Sequence, residues 1–378
     1  MRIVFWQNCL SPHQLPYIVH LLDDERVDSV VVASGELISE ERKKMGWDVN
    51  SYIGLGKCEV HLSPALQTID ELLSLRVEDS YHIFSGIRGF QFVFTVFQRS
   101  LKFKLKRCMV TERPNTYFGG FPNGKPLWLH WLRWKIQERN NIPMVEKVFA
   151  MGGDAVDFYS SVSSQWKVIP FGYCTQPLSL LDSPAMTGCP RISFVGSLSW
   201  RKSVDKLLIS TMMLKKMIDG RKVSIRIIGD GMERQKLEKY KRKYQLDEVD
   251  FLGTRRQSEV PILLSECDVL VLPSIYDGWG AVVNEALQAG LYVICSDKCG
   301  AKDLLGDSRC GSVFAGGDSR QLAEHLKNVS ENIDKIRADR KWRIKWAERC
   351  ISGKVMAKYM IDCLMDGEPI LPWNKVDE

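Results

Sequence analysis

Three short segments carry side chains whose types and spacing suit a phosphorylated, hydroxyl-bearing ligand. The first is Leu272-Pro-Ser-Ile-Tyr-Asp-Gly-Trp-Gly-Ala-Val-Val-Asn-Glu-Ala-Leu-Gln-Ala-Gly290. Its apolar start reads as a buried strand, and helical spacing resumes near Ala281, so two glycines fall in the connecting loop. Gly278 and Gly280 give a ligand room to approach the backbone. Amides around Trp279–Val282 face an anion at a helix start. Asp277 is in reach of a ligand group beyond the phosphates. Glu285, just over a turn into the helix, can accept hydrogen bonds from hydroxyls such as those of a ribose. Taken alone, Asp277 reads equally as a turn residue and Glu285 as a surface helix charge.

The second segment is Phe194-Val-Gly-Ser-Leu-Ser-Trp-Arg-Lys-Ser-Val-Asp205. Gly196 opens a loop after a strand, and Arg201 and Lys202 precede a helix. There they can clamp a diphosphate as charged donors, or serve as a solvated cation pair. The third segment, Ile227-Ile-Gly-Asp-Gly-Met-Glu233, reads as a strand, a tight turn and a helix start. Gly229 and Gly231 permit close backbone approach, as a ligand loop or as a purely structural turn.

These segments need a scaffold, and the chain supplies one by alternating short apolar runs with amphipathic stretches. Strands are predicted over Arg2–Trp6, Val27–Ala33, Tyr81–Ser85, Arg107–Thr111, Lys147–Met151 and Lys167–Phe171. Helices are predicted over Gln14–Leu22, Leu62–Leu75, Phe90–Lys104 and Leu127–Arg139. Residues 173–190, rich in Pro, Ser and Gly, break the rhythm and read as a linker. A second series follows, with strands over Arg191–Val195, Val223–Ile228, Val249–Leu252, Val269–Leu272, Leu291–Cys295 and Ser312–Phe314. Its helices cover Val204–Met217, Glu233–Lys243, Glu259–Glu266, Val282–Gln288 and Arg320–Asn328. The order implies an α/β fold of two parallel-sheet domains, 1–172 and 191–333, with a helical tail over 334–378 packing back on the first. Ligands in such folds bind outside the carboxyl ends of the strands.

Composition narrows the class further. With 45% apolar and 26% charged residues, the chain is neither disordered, collagen-like nor a disulfide-stapled miniprotein. No run approaches the ~18 apolar residues that span a bilayer. The first five residues are too short and charged for a secretory signal, so a cytoplasmic protein is expected. The 11 cysteines are scattered without a CxxC pair, which favours buried free thiols over a zinc or redox site. Charge is uneven: residues 1–80 hold 7 Lys/Arg against 13 Asp/Glu, whereas residues 81–139 hold 11 against 2. In the basic stretch, cations interleave with Phe90, Phe92, Phe94, Phe97, Phe103, Trp128, Trp131 and Trp134. That pattern suits an anionic membrane surface. A solvated basic face over an ordinary core is the plainer reading. Nucleic acid is not expected, because no nucleic-acid-binding signature accompanies it.

In their order and spacing, the loop around Gly196 and Lys202, the Ile228-Gly-Asp-Gly turn, Phe251-Leu-Gly253 and the acid–x7–acid loop and helix resemble the retaining glycosyltransferases of family 4. The likeness covers about residues 191–316, while the first domain matches in its α/β rhythm alone. The resemblance implies a GT-B fold, with two Rossmann-like domains facing a cleft and a C-terminal helix, bearing Trp342 and Trp346, crossing back. It implies transfer of a sugar from a nucleotide diphosphate sugar with retention of configuration, with no metal or other cofactor. Lys202, with Arg201, would neutralise the diphosphate. Asp277 and the Gly278–Gly280 backbone would contact the donor sugar, and Glu285 would hold the ribose.

The chain departs from the family pattern at several points. Asp277 stands where Glu is usual, and Ser197 where Arg is common. The first strand leads to Cys9-Leu-Ser-Pro-His-Gln14 instead of a Gly-Gly loop, and a strand expected to end in His ends at Glu112. Glu112, beside Arg113, could orient or deprotonate the acceptor hydroxyl, and His13 is a second candidate for acceptor contact. The acceptor is expected to be lipid-linked or a surface polysaccharide, with the enzyme peripheral at the inner membrane face. A nucleotide-sugar epimerase and a non-catalytic partner subunit are the alternatives.

Overall fold

The structure, a computed structural model, describes residues 1–36, 38, 55–115, 127–176, 188–217 and 222–374. The chain forms two units, 1–176 joined by 351–378 and, between them, 177–350. Most of the predicted linker, 177–187, lies outside the described residues.

Unit 1 is built on seven parallel strands: β1 (Arg2–Cys9), β2 (Ser29–Glu36), β3 (Glu59–Leu62), β4 (Ser80–Phe84), β5 (Lys106–Glu112), β6 (Lys147–Met151) and β7 (Lys167–Phe171). Their order across the sheet is β3-β2-β1-β4-β5-β6-β7. The connecting helices are α1 (Leu15–Ile18), α2 (Leu66–Ser74), α3 (Gln91–Ser100), α4 (Leu127–Gln137) and α5 (Gly153–Val162). Strands β1, β4 and β6 are buried almost throughout, as parallel strands covered on both faces should be.

Unit 2 has six parallel strands: β8 (Arg191–Val195), β9 (Ser224–Ile228), β10 (Val249–Gly253), β11 (Val269–Leu272), β12 (Tyr292–Ser296) and β13 (Gly311–Phe314). They lie in the order β10-β9-β8-β11-β12-β13. The helices are α6 (Val204–Lys215), α7 (Arg234–Lys243), α8 (Val260–Ser265), α9 (Val282–Gln288), α10 (Ser319–Glu331), α11 (Ile333–Ala338) and α12 (Arg340–Ile351). A last helix, α13 (Gly353–Leu364), belongs to unit 1. In each sheet the strand order reverses beside the first strand, which opens a crevice at the carboxyl edge between β1 and β4 and between β8 and β11.

Three expectations need correcting. Residues Glu59–Leu62 form a short edge strand that the sequence reading had merged in part into a helix. Ser63, at φ 48°, and Pro64 separate it from α2. The helix expected over Gln14–Leu22 stops at Ile18, and a 3-10 turn over Leu21–Asp23 follows, tied by a 2.6 Å contact between His20 and Asp23. The tail is three helices, and the chain leaves unit 2 at Cys350 instead of 333. Arginines explain the shift. Arg337 pairs with Asp268 at 2.8 Å, and Arg340 donates to Cys267, Ser265 and Ala289 carbonyls, each at 2.8 Å. Buried Arg343 donates to Gly290 O at 2.8 Å and Arg309 O at 3.0 Å. Trp342 and Trp346 therefore sit in unit 2, with Arg309 stacked 3.6 Å over the Trp342 ring.

Helix α13 docks on unit 1 through backbone. A Cβ added at Gly353 would lie 2.2 Å from Pro16 O, so only glycine fits that approach. The buried Lys147 Nζ donates to Cys363 O at 3.1 Å and pairs with Asp366 at 2.7 Å, capping the carboxyl end of α13. Tyr359 stacks on Phe171.

The basic-aromatic stretch is largely absorbed by this scaffold. Phe97 is fully buried, while Phe92, Phe94, Phe103 and Trp134 pack against the core. Arg107 is buried, donating to Ser100 Oγ at 2.9 Å and Phe103 O at 2.6 Å. Arg99 pairs with Asp70, and Arg88 with Glu138 at 2.6 Å. Residues 116–126 of the stretch lie outside the described residues. The cysteines are free thiols: nine are buried, Cys9 is half-buried and Cys189 is exposed, against the expectation of burial throughout.

Candidate functional site

In unit 2 the loops that follow neighbouring strands β8 and β11 meet. Lys202 Nζ forms an ion pair with Asp277 Oδ2, and both side chains are largely withdrawn from water. Arg201 Nη1 stands 4.0 Å from the other carboxylate oxygen and donates to Tyr276 O at 3.4 Å. The two loops are also joined through backbone, since Ile275 N–H donates to Arg201 O at 2.9 Å. Three of the residues singled out in separate segments thus form one charged cluster.

The Gly278–Gly280 loop is held from below and from the side. Trp279 is almost fully buried, and its indole N–H donates to Asn284 Oδ1 at 2.8 Å. The loop after β12 braces it: Asp277 N–H donates to Lys298 O at 3.1 Å, Gly300 N–H to Asp277 O at 3.3 Å, and Ala301 N–H to Trp279 O at 2.8 Å. Gly280 has φ 95° and faces Leu272 at 2.8 Å from where a Cβ would lie, so any other residue is strained there. Helix α9 has seven residues and its Val283 N–H already donates to Gly280 O at 2.9 Å. The cations, more than the helix end, therefore make this corner anion-seeking.

Glu285 lies on α9, and burial pushes its carboxyl up to about 7, so near neutrality it exchanges a proton. Its ionised form is stabilised by any hydrogen-bond donor placed against it.

Gly229, at φ 130°, packs on the loop after β8: a Cβ there would lie 2.0 Å from Gly196 O. Gly196 N–H donates to Ile228 O at 3.0 Å, and Gly229 N–H to Gly253 O at 2.8 Å. The Gly-Asp-Gly turn thus has a structural reason for its glycines, in fixing the loop that presents Lys202.

In unit 1 the acceptor-side candidates come together through a residue that the sequence reading overlooked. Tyr173, two residues past β7, hydrogen-bonds the Glu112 side chain, and burial with the adjacent Glu112 carboxylate holds its hydroxyl well above the usual range. The His13 ring lies 6.1 Å from the Tyr173 ring, and Cys174 N–H donates to His13 O at 3.0 Å. Glu112, His13 and Tyr173 so share the carboxyl edge of the sheet. Arg113 turns away to Asp154 at 3.1 Å. If Glu112 acts as a general base toward a hydroxyl acceptor, replacing it with Gln is expected to lower turnover about 100-fold, the low end for such a loss, and to leave nucleotide binding unchanged. Near-normal turnover would remove Glu112 from the chemistry.

Among the described residues no group of three or more His, Cys, Asp or Glu is arranged to hold a metal ion. No described helix is long and apolar enough to cross a membrane.

The paired parallel sheets with a charged cluster at the second switch point define a GT-B architecture, and solved structures share it. HepE from Anabaena, solved in complex with UDP, superposes with a TM-score of 0.69 at 15% identity, covering 97% of this chain and 100% of that one. Residues 183–344, which fall within unit 2, match the family of glycosyl transferases group 1. A 2-deoxystreptamine glucosyltransferase from Streptomyces kanamyceticus is 28% identical over 165 residues, 41% of each chain. A GDP-mannose-dependent alpha-mannosyltransferase from Mycobacterium tuberculosis is 30% identical over 131 residues, 35% of this chain and 32% of that one. The aligned segments span less than half the length of these relatives.

Proposed function

We propose that the chain transfers a hexosyl unit, with retention of anomeric configuration and without a metal, from a nucleotide diphosphate sugar to a lipid-linked or polysaccharide acceptor at the cytosolic membrane face. The observation that carries this reading is the Lys202–Asp277 ion pair beside the Gly278–Gly280 loop, with Glu285 on the helix that follows. UDP in the structure of HepE and the GDP-mannose dependence in the mannosyltransferase's name support a diphosphate nucleotide as donor.

The cluster has a direct use in such a reaction. An arriving diphosphate draws Lys202 from Asp277 and leaves that carboxylate to accept from sugar hydroxyls. As the glycosidic bond breaks, negative charge grows on the departing phosphate, where Lys202 and Arg201 are already in place. Glu285 holds the ribose, and Glu112 orients the acceptor hydroxyl. A thermal-shift panel with UDP, GDP, ADP, CMP and their sugars tests the reading. A ligand at 100 times its Kd adds about 2.7 kcal/mol, so one selective response is expected, and no response to any nucleotide would sink it.

The membrane half rests on α4. Leu129, Leu132 and Ile136 are exposed along one side of it, with Arg133, Lys135 and Arg139 close by. Co-sedimentation with anionic liposomes, weakening with salt, is expected. Equal recovery with neutral vesicles would remove this part of the proposal.

A further inference from the structure

A groove of about 460 Å³ runs along unit 1, lined by Trp128, Trp131, Phe158, Asp154, Asp157 and Arg113. It lies where α4 meets α5, beyond the carboxyl end of β5. Its walls combine aromatic faces with carboxylates, and none of these residues but Arg113 entered the reading of the catalytic centre.

The lining is fixed in place. Trp131 donates its indole N–H to Ser161 O at 2.9 Å, and Lys135 Nζ covers the ring 5.4 Å from its centroid. Asp154 is oriented by Arg113 at 3.1 Å. Asp157 follows Asp154 at the i,i+3 spacing that places both on one side of α5. Trp128 is 62% exposed, a large apolar surface left to water.

We infer that this groove is a saccharide subsite that takes a neutral hexopyranose ring of the acceptor. The inference rests on the glycosyl-transfer reading for the word acceptor, but the chemistry of the groove is independent of it. A pyranose presents a face of C–H groups and a rim of hydroxyls. The C–H face lies against an electron-rich indole, and the hydroxyls donate to carboxylates that only accept. Asp154 is paired with Arg113 and Lys135 lies over the Trp131 ring, so the charges around the groove balance and it suits a neutral ring. The volume falls in the range of small-molecule sites. Helix α4 thereby serves two ligands: Trp128 and Trp131 face the groove, while Leu129, Leu132 and Ile136 lie roughly a quarter turn round the helix.

Saturation-transfer NMR on the full chain, with methyl pyranosides of glucose, galactose, mannose and N-acetylglucosamine as probes, tests this. The expected result is transfer to at least one glycoside, reduced at least threefold in Trp128→Ala and in Asp157→Asn and retained in Trp128→Phe. The nucleotide thermal shift should be unchanged in all three, which shows that they fold. No transfer to any glycoside, transfer indifferent to the variants, or stronger transfer to a glycoside 6-phosphate would overturn the subsite. A missing nucleotide response with saccharide transfer intact would instead reject the transferase reading and leave the groove standing.

Discussion

Replacing Lys202 with Ala is expected to lower turnover by about 10²–10³-fold, measured as nucleotide released from the sugar donor that the binding panel selects. Removing one preorganised donor from developing negative charge has an effect of that size. Turnover within about threefold of wild type would show that the leaving phosphate is stabilised elsewhere. The variant has a second effect that must be separated from the first. Asp277 is largely buried and paired with Lys202, and stripping one partner from such a pair costs about 3–5 kcal/mol. The double variant Lys202→Ala/Asp277→Asn removes both charges. It should recover most of the lost stability and none of the activity. If it recovers activity as well, Lys202 serves the fold and not the reaction.

The second expected result concerns pH. Folding raises the Glu285 carboxyl from 4.5 to about 7 through desolvation. Between those values the folded state holds a proton that the unfolded chain has lost, so this residue makes stability fall as pH rises through that window. The full effect is roughly 3 kcal/mol, at 1.36 kcal/mol for each pKa unit. Urea melts at pH 5 and pH 8 should show wild type losing more stability than Glu285→Gln across the interval. Nucleotide binding should run the opposite way, because the proposed ribose contact is made by the ionised carboxylate. Affinity should rise by up to tenfold per pH unit below 7 and level off above it, while the Gln variant stays flat. An equal pH response in the two proteins would dissociate Glu285 from both effects.

Much of unit 2 was legible in the sequence because parallel strands covered on both faces read as unbroken apolar runs. Val269–Leu272 is fully buried, and the loop after it could be placed at once. Glu59–Leu62 was not legible, since a four-residue edge strand with exposed ends carries too little period-2 signal. The same contrast holds for the sites. Lys202 and Asp277, which the structure pairs, and the candidate Glu285 stand out by spacing within loops and a helix. Tyr173 lay in a Pro- and Ser-rich stretch read as linker, and only the packing of β7 two strands from β5 brings it to Glu112. Trp279 was read for its backbone, whereas its side chain is buried under the loop and tied to Asn284. Trp128 and Trp131 were read as membrane-seeking, and the groove they line depends on α5, which the charge pattern of α4 does not reveal.

The return of the chain to unit 1 after Cys350 bears on the order in which the protein takes shape during synthesis. The main stretch of unit 2 runs from 177 to 350, and every strand of its sheet has left the ribosome before α13 does. Unit 1 has its seven strands by Phe171, yet Lys147, Phe171 and Pro16 wait for partners that lie more than 180 residues further on. Translation at about 5–20 residues per second leaves that surface uncovered for roughly ten seconds or more. The later-made unit is thus the first to be finished, and the earlier one spends that interval with apolar surface exposed, the period in which a chaperone has most to protect.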